Sequence, residues 1–177
     1  MKKIIALAGS NSKHSINKIL ATYTANLIEG AKVEVLDLND YELPMYSIDY
    51  EMEYGVHDIA EKMLSTIQSA DALVVSLAEY NGSYTSAFKN AFDWMSRANK
   101  EVWGNIPMLL MATSPGGRGG ATVLSAAKTT FPHLGGNIVA DFSLPSFGNN
   151  FVAGALVNEE LKTELDNAVN KLTVAMN

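Results

Sequence analysis

The chain has 177 residues, of which 47% are hydrophobic and 18% charged, and this size and composition predict a single domain over residues 1–177 with a substantial core. It contains no cysteine, which excludes disulfides, thiolate metal sites and cysteine nucleophiles, so any redox chemistry has to come from a bound cofactor. The net charge of −6 disfavours nucleic acid and anionic membrane surfaces as partners, because both attract a basic excess. We therefore expect a small-molecule partner.

The amino terminus briefly resembles a secretory signal, because Lys2 and Lys3 precede an apolar run from Ile4 to Ala8. That run is shorter than the roughly 7 to 15 residues of a signal core, and it passes directly into polar sequence. No other stretch approaches the roughly 20 apolar residues that a membrane span requires. The sequence therefore predicts a cytoplasmic protein.

Five apolar runs of strand length alternate with segments of helical periodicity. The predicted strands are residues 3–8, 32–38, 71–77, 106–112 and 137–144. The apolar stripes that predict the five helices lie within residues 16–28, 59–67, 84–95, 119–131 and 161–172. Such an alternation is typical of a parallel sheet covered by helices on both faces.

One long stretch, residues 39–55, shows neither pattern, and we expect an irregular surface excursion there. Its large side chains are Tyr41, Met45, Tyr46, Tyr50, Met52 and Tyr54. Long loops in small domains are often functional or interfacial. We interpret this one as a subunit contact, the alternative being that these side chains only cover the domain's own edge.

The loop after the first predicted strand is rich in small polar residues. Ligands of open α/β sheets bind at the carboxyl ends of the strands, and this first loop is the usual phosphate site. Gly9 permits a tight turn, Ser10, Ser12 and Ser15 can donate hydroxyl protons, and Asn17 can donate an amide N–H. Ser15 also suits the helix N-cap, where free N–H groups and the helix dipole attract an anion. In the alternative interpretation, Ser15 only caps the helix and the other hydroxyls only solvate a turn.

The loops after the third and fourth predicted strands also carry turn residues. Asn81 and Gly82 tolerate positive φ, and Tyr80 can lie along a flat ring. The alternative is a simple turn in which Ser83 caps the next helix. In the later loop four glycines surround Arg118. The glycines leave space above bare backbone, and the arginine offers donors for a second anion. The alternative is a flexible loop with a solvated arginine.

Other kinds of site find little support. The patterns GxxxxGK[ST] and GxSxG are absent, and no GxGxxG follows the first strand. The histidines, His14, His57 and His133, lie on separate predicted segments and predict no metal site.

Together the three loops resemble the NADPH-dependent FMN reductase family of flavodoxin-like proteins, which includes quinone, azo-dye and chromate reductases. The first family pattern, G-S-x-R-x-x-S-x-N, is matched by Gly9, Ser10, Ser15 and Asn17. The second, P-E-Y-N-G-S followed by K-N-A-x-D-W, is matched by Glu79, Tyr80, Asn81, Gly82, Ser83, Lys89, Asn90, Ala91, Asp93 and Trp94. The third, S-x-G-x-x-G-G, is matched by Ser114, Gly116, Gly119 and Gly120. Ser12 and Ala78 replace the family arginine and proline, and Lys13 or His14 are candidates to replace the lost charge.

The resemblance implies a three-layer α/β/α sandwich with a five-stranded parallel sheet of order 2-1-3-4-5. It also implies bound FMN, reduced by NADPH or NADH through hydride transfer and reoxidised by a small acceptor (a quinone, an azo compound, chromate or free flavin) in ping-pong fashion. The implied FMN-binding residues are Gly9, Ser10, Ser12, Ser15, Ile16, Asn17, Glu79, Tyr80, Asn81, Gly82, Ser83, Ser114, Pro115, Gly116 and Gly117. Arg118 is the implied substrate-binding residue, no protein acid or base is needed, and a homodimer or homotetramer is implied.

Two alternatives come from other functional classes. One is a flavodoxin-type carrier that exchanges single electrons with protein partners, although such carriers usually have a T-x-T-G-x-T first loop and stronger acidity than this chain. The other is a non-catalytic flavin-binding module. Bleaching of bound flavin by NAD(P)H distinguishes a reductase from the second alternative.

Overall fold

A five-stranded parallel sheet of order β2-β1-β3-β4-β5 forms the centre of the protein. The structure is a computed structural model that describes residues 1–177. The strands are β1 (Lys3–Gly9), β2 (Lys32–Leu36), β3 (Ala72–Leu77), β4 (Pro107–Thr113) and β5 (Asn137–Leu144). The predicted fold class and strand order are therefore confirmed.

Seven α-helices accompany the sheet. They are α1 (Ile16–Asn26), α2 (Ile48–Tyr54), α3 (Asp58–Gln68), α4 (Ser86–Ala98), α5 (Ala121–Thr130), α6 (Phe147–Asn150) and α7 (Glu159–Ala175). The five predicted helices correspond to α1, α3, α4, α5 and α7. Single 3-10 turns at Leu38–Asp40 and Phe131–Leu134 complete the helical elements. None of the helices combines the length and apolar character of a membrane-spanning segment.

The prediction of an irregular excursion over residues 39–55 is partly wrong, because its second half is the helix α2. Ser47 begins this helix: its Oγ accepts a hydrogen bond of 3.1 Å from the backbone N–H of Tyr50. No residue of α2 is buried, so the helix carries no continuous apolar stripe for a sequence pattern to detect.

A short hairpin that the sequence did not predict, β6 (Phe151–Val152) with β7 (Ala155–Leu156), follows α6. Phe151 packs edge-on against Tyr23 of α1, with ring centroids 5.1 Å apart. The strands have only two residues each, too few for a period-2 pattern to be visible in the sequence.

The core consists of two layers, one on each face of the sheet. Successive residues of β1 alternate between them, so Ile5 and Leu7 face α3, α4 and α5 while Ile4 and Ala6 face α1 and α7. The strands β1, β3 and β4 are buried along nearly their whole length because helices cover both faces. Their carboxyl ends therefore form a rigid edge on which loops can be placed.

Candidate functional site

Three loops meet at the carboxyl edge of the sheet: the first loop (residues 10–15), the second loop (residues 78–85) and the third loop (residues 114–120). The register places Gly9 of β1 beside Leu77 of β3, and Leu77 beside Ala112 of β4. The three strands thus end side by side. Between the loops lies a cavity of about 220 Å³, and it is lined by Ser10, Ser12, His14, Ser15, Ile16, Asn17, Ala78, Glu79, Tyr80, Thr113, Ser114 and Pro115.

Most residues that the sequence singled out for a cofactor line this cavity. Those in the lining are Ser10, Ser12, Ser15, Ile16, Asn17, Glu79, Tyr80, Ser114 and Pro115. Those outside it are Gly9, Asn81, Gly82, Ser83, Gly116 and Gly117, and the predicted substrate-binding residue Arg118 also lies outside it. Ala78 and Thr113 join the lining without having been predicted as ligand contacts, and so does His14, one of the two candidates to replace the charge of the family arginine.

Two buried hydroxyls shape the first loop. The Oγ of Ser15 accepts a hydrogen bond of 3.2 Å from the N–H of Lys18 and caps α1, as the sequence predicted. The Oγ of Ser10 accepts one of 3.1 Å from the N–H of Ser12. Each hydroxyl accepts in these bonds, so its own proton remains available to a ligand. With the positive end of α1 beside them, these neutral donors can bind an anion.

Asn17 has a structural task besides lining the cavity. Its side chain is 2% exposed, and its Oδ1 accepts hydrogen bonds from the Ser76 hydroxyl at 2.7 Å and from the Thr113 N–H at 3.1 Å. Its Nδ2 donates to the Thr113 carbonyl at 3.2 Å. Asn17 therefore fixes the start of α1 to β3 and β4, and one amide N–H is left over for a ligand.

The second loop contains a tight hairpin turn. The N–H of Tyr80 donates to the carbonyl of Ser83 at 2.9 Å, and the N–H of Ser83 donates back to the carbonyl of Tyr80 at 3.1 Å. Asn81 and Gly82 at its centre have φ of 53° and 75°, so the predicted positive φ values are confirmed. Tyr80, at the base of this turn, is 53% exposed and borders the cavity.

The residue that caps α4 is Thr85, not Ser83 as in the alternative interpretation of this turn. Its Oγ1 accepts a hydrogen bond of 3.1 Å from the N–H of Phe88 and donates one of 2.9 Å to the carbonyl of Gly9. One buried hydroxyl thus caps the helix and joins the second loop to the end of β1.

The last two glycines of the third loop are required by packing. Gly119 and Gly120 have φ of +58° and +75°, and a Cβ on Gly120 would lie 2.8 Å from the Cβ of Ala112. A Cβ on Gly119 would lie 2.5 Å from the Oγ of Ser143. A Cβ on Gly117, by contrast, would meet nothing within 4 Å, so there is open space beside this part of the loop.

The carbonyl groups of the third loop are held by the segment before α6. The N–H of Ser146 donates to the carbonyl of Gly116 at 2.9 Å, and the N–H of Phe147 donates to that of Ser114 at 3.1 Å. These bonds occupy the carbonyl acceptors of Ser114 and Gly116, so the N–H groups on this side of the loop remain available to a ligand. This segment is not evident from the sequence, because Ser146 adopts a left-handed conformation, φ 45°, that its residue type does not predict.

Glu79 connects the second loop to the third. Its Oε2 accepts hydrogen bonds from the backbone N–H groups of Thr122 at 2.9 Å and Val123 at 3.0 Å, at the start of α5. The Oγ1 of Thr122 in turn accepts a hydrogen bond of 3.0 Å from Nη2 of Arg118. The carboxylate therefore stabilises the positive end of α5 and fixes the loop that carries Arg118.

The residues that line the cavity fit the phosphate end of FMN. They offer hydroxyl and backbone donors at the start of α1, and the open space beside Gly117 leaves room for a larger planar group. The glycines at positions 119 and 120 bring the third loop close without a side chain in the way.

The aromatic residues after β2 lie away from this cavity, against α4. Tyr46 and Tyr50 pack edge-on against the buried Trp94, with ring centroids at 5.1 and 5.7 Å. They cover the domain's own edge, whereas Met45 and Met52 are 72% and 80% exposed. Both interpretations of this stretch therefore have residues in their favour, and the subunit contact stays a prediction.

An ion pair anchors α2 to α4 in the same region. The Nε of Arg97 donates to the Glu51 carboxylate at 2.8 Å, and the Tyr46 hydroxyl donates to it at 2.9 Å. The bond from Arg97 lowers the pKa of Glu51, and the bond to Glu51 raises the pKa of Tyr46. This cluster is structural and contributes no group to the cavity.

The chain is similar to known proteins over most of its length. The family model described as NADPH-dependent FMN reductase matches residues 2–149. A 2-hydroxy-1,4-benzoquinone reductase from Burkholderia sp is 35% identical over 134 residues, which are 75% of this chain and 71% of that protein. A quinone reductase from Escherichia coli (strain K12) is 34% identical over 120 residues, 67% of this chain and 63% of that protein.

Solved structures of flavin-dependent oxidoreductases are also similar to this chain. The flavoenzyme NAD(P)H:(acceptor) oxidoreductase FerB from Paracoccus denitrificans superposes with a TM-score of 0.77 at 27% identity, over 99% of this chain and 97% of that one. An FMN-dependent NADH-azoreductase from Bacillus anthracis in complex with FMN shares the fold, with a TM-score of 0.61 at 16% identity over 99% and 98% of the two chains. As its three loops predict, the chain belongs to the NADPH-dependent FMN reductase family.

Proposed function

We propose that this protein is a single FMN-binding domain over residues 1–177 and an NAD(P)H-dependent oxidoreductase that transfers electrons from a nicotinamide to a small acceptor of the quinone class. The observation that carries the proposal is the convergence of the three loops on one cavity at the carboxyl edge of the sheet. The names of the two curated relatives support the acceptor class. The net charge of −6 also suits small-molecule rather than nucleic-acid chemistry.

The first loop is the proposed phosphate site. Ser10, Ser12 and Ser15 would donate hydroxyl protons to the phosphate, together with the free N–H groups at the start of α1, including that of Ile16. Gly9 closes the turn that brings them together: a Cβ there would lie 2.9 Å from a side-chain atom of Leu77. The loop therefore binds charge chiefly with neutral dipoles that are already fixed in place.

The second and third loops are the proposed ring site. The hairpin turn of Tyr80, Asn81, Gly82 and Ser83 would lie along one side of the flavin. The backbone N–H groups of Ser114, Gly116 and Gly117 would donate to its pyrimidine end, because Pro115 has no N–H and the carbonyls of Ser114 and Gly116 are bonded to the segment before α6. When bound, FMN would supply the redox chemistry, accepting hydride from the nicotinamide and passing electrons to the acceptor.

Arg118 is the proposed substrate contact. It is exposed and held on the third loop by Thr122, beside the open space at Gly117. A guanidinium offers a planar fork of donors that suits the phosphates of a nicotinamide nucleotide or the oxygens of a quinone. Because one open space serves both substrates, we propose that they bind in turn, which gives ping-pong kinetics.

The same proposal extends to assembly and location. Met45, Met52 and Tyr54 are large apolar side chains that are exposed on one stretch of the chain, and such side chains suit a contact between two copies. We infer a homodimer or homotetramer, and we propose the cytoplasm as its location. Sedimentation at two protein concentrations measures the assembly state directly.

The proposed function is tested by the absorbance spectrum of protein that has been saturated with FMN and desalted. The expected result is retained flavin bands that disappear on anaerobic addition of NADPH or NADH and return on addition of a benzoquinone. Parallel lines in double-reciprocal plots would support the ping-pong order. Flavin that is retained but not bleached by either nicotinamide would contradict the enzyme assignment and favour a non-catalytic flavin-binding module.

A further inference from the structure

We propose that the imidazole of His14 supplies the positive charge for the FMN phosphate, so that protonation of one histidine controls how tightly the cofactor is held. This inference rests on the proposed function, because it assigns a role within the same cavity. The charged groups that line the cavity support this assignment. The only side chain there that can carry positive charge is that of His14.

The cavity contains no lysine or arginine. Its other titratable residues are Glu79 and Tyr80, which carry negative charge or none. The Glu79 carboxylate is bonded to the N–H groups at the start of α5, so its charge is balanced there. A phosphomonoester carries a charge of about −1.5 to −2 at neutral pH, so beside the neutral donors of the first loop it needs a counter-charge for tighter binding. A protonated imidazole meets that need within the lining itself.

The cations nearest in sequence are placed elsewhere. Lys13 is exposed and is not part of the cavity lining. Lys18, on the first turn of α1, forms an ion pair of 2.7 Å with Asp37. Burial raises the pKa of Asp37, but the hydrogen bonds from Lys18 and Asn39 outweigh it and lower the pKa overall. The charge of Lys18 is therefore balanced by Asp37, outside the cavity.

The third loop offers no substitute. Its one cation, Arg118, bonds to Thr122 and lies outside the lining. His14, in contrast, is exposed in the first loop, beside the hydroxyls of Ser12 and Ser15. From this position a protonated imidazole can add a full charge and an N–H donor to the neutral donors around it.

The inference predicts a pH dependence of a definite sign. An imidazole carries positive charge only while it is protonated, so the contribution of His14 to FMN affinity is larger at low pH than at high pH. The second ionisation of the phosphate, near pH 6, belongs to the ligand and is present whichever variant binds it. The comparison of variants at each pH therefore isolates the histidine.

The experiment measures dissociation constants of FMN and riboflavin by quenching of flavin fluorescence, near pH 6 and near pH 9. The variants are His14→Gln, which keeps a polar side chain without charge, and His14→Arg, which keeps the charge at both pH values. We expect His14→Gln to weaken FMN binding roughly tenfold near pH 6 and less than about twofold near pH 9. Riboflavin, which has no phosphate, should bind equally to the wild type and His14→Gln, and His14→Arg should hold FMN tightly even near pH 9.

The controls are His133→Gln, which alters a histidine outside the cavity, and Lys13→Gln. Both should bind FMN like the wild type. An equal loss in His14→Gln at both pH values, an equal loss for riboflavin, or a tenfold loss in Lys13→Gln instead would overturn the role of His14 while the FMN site stands. Failure of the wild type to bind either flavin at any pH would overturn the proposed function and this inference together.

Discussion

The Glu79 carboxylate and the backbone N–H of Thr122 are 2.9 Å apart, although the two residues belong to loops after different strands. The same oxygen also accepts from Val123 at 3.0 Å, so one side chain serves as the helix cap of α5. Its own neighbour, Tyr80, begins the hairpin turn of the second loop. A single carboxylate on the second loop therefore connects that loop to the helix that follows the third loop.

Replacing Glu79 by alanine should loosen this connection. Two backbone N–H groups at the start of α5 lose their acceptor, which costs about 1 kcal/mol of unfolding free energy, as for the loss of other helix caps. Urea denaturation measures this change. Glu164→Ala, at an exposed position on α7, is the matched control and should stay within about 0.5 kcal/mol of the wild type. Equal stability of Glu79→Ala and the control would show that the cap contributes nothing.

Asn17 should be more sensitive than Glu79, because its bonds are buried. Asn17→Ala leaves the Ser76 hydroxyl and the Thr113 N–H without their acceptor in the core, and an unsatisfied buried group costs about 1 to 3 kcal/mol. We expect a loss of about 3 kcal/mol in urea denaturation. Asn26→Ala, on the same helix but exposed, should cost far less. A loss no larger than that of Asn26→Ala would contradict the tie between α1 and the sheet.

The glycines of the third loop allow a paired test. Gly120→Ala places a Cβ 2.8 Å from that of Ala112 at a φ of +75°, and we expect it to destabilise the protein by about 1 to 3 kcal/mol. Gly117→Ala, in the same loop, meets open space and should be tolerated in thermal unfolding. If the proposed ring site is correct, Gly117→Ala should instead weaken FMN binding, because its methyl group enters the space proposed for the flavin. Equal melting temperatures for the two variants would contradict the packing role of Gly120.

The features predicted correctly from the sequence depend on local patterns. An apolar run of this length predicts a strand, so residues 3–8 and 137–144 correspond closely to β1 and β5. Turn chemistry is equally local: Asn81 and Gly82 adopt positive φ because few other residues tolerate it. Ser15 caps α1 for a similarly local reason.

The features that the sequence did not reveal depend on partners far along the chain. Asn17 is tied to Thr113, 96 residues away, and Thr85 to Gly9, 76 residues away. In a sequence, an asparagine in the first turn of a helix and a threonine before a helix look like ordinary caps. Only the fold shows that they hold the loops together. The helix α2 was missed because none of its residues is buried.

The ion pair of Lys18 and Asp37 should make stability depend on pH. The pKa of Asp37 is lowered in the folded state, so its contribution is present above the unfolded pKa of about 3.9 and is lost as the pH falls through the lower folded value. We expect Asp37→Asn to flatten the acid limb of the stability curve below about pH 4. Lys18→Gln should have the same effect, and the double variant should add little. Additive losses in this cycle would show that the two charges do not interact.

Arg118 should affect substrate binding without affecting the cofactor, because it lies outside the cavity lining. Losing a hydrogen bond to a charged group corresponds to roughly a tenfold change, so Arg118→Ala should raise KM for NADPH or for the quinone about tenfold with an unchanged dissociation constant for FMN. Arg118→Lys keeps the charge but not the fork of donors and should recover only part of the loss. Thr122→Val removes the hydroxyl that holds Arg118 and should raise the same KM by a smaller factor. Wild-type steady-state constants for both substrates in Arg118→Ala, with FMN still bound, would rule out the proposed role and leave the open space at Gly117 as the feature that binds substrate.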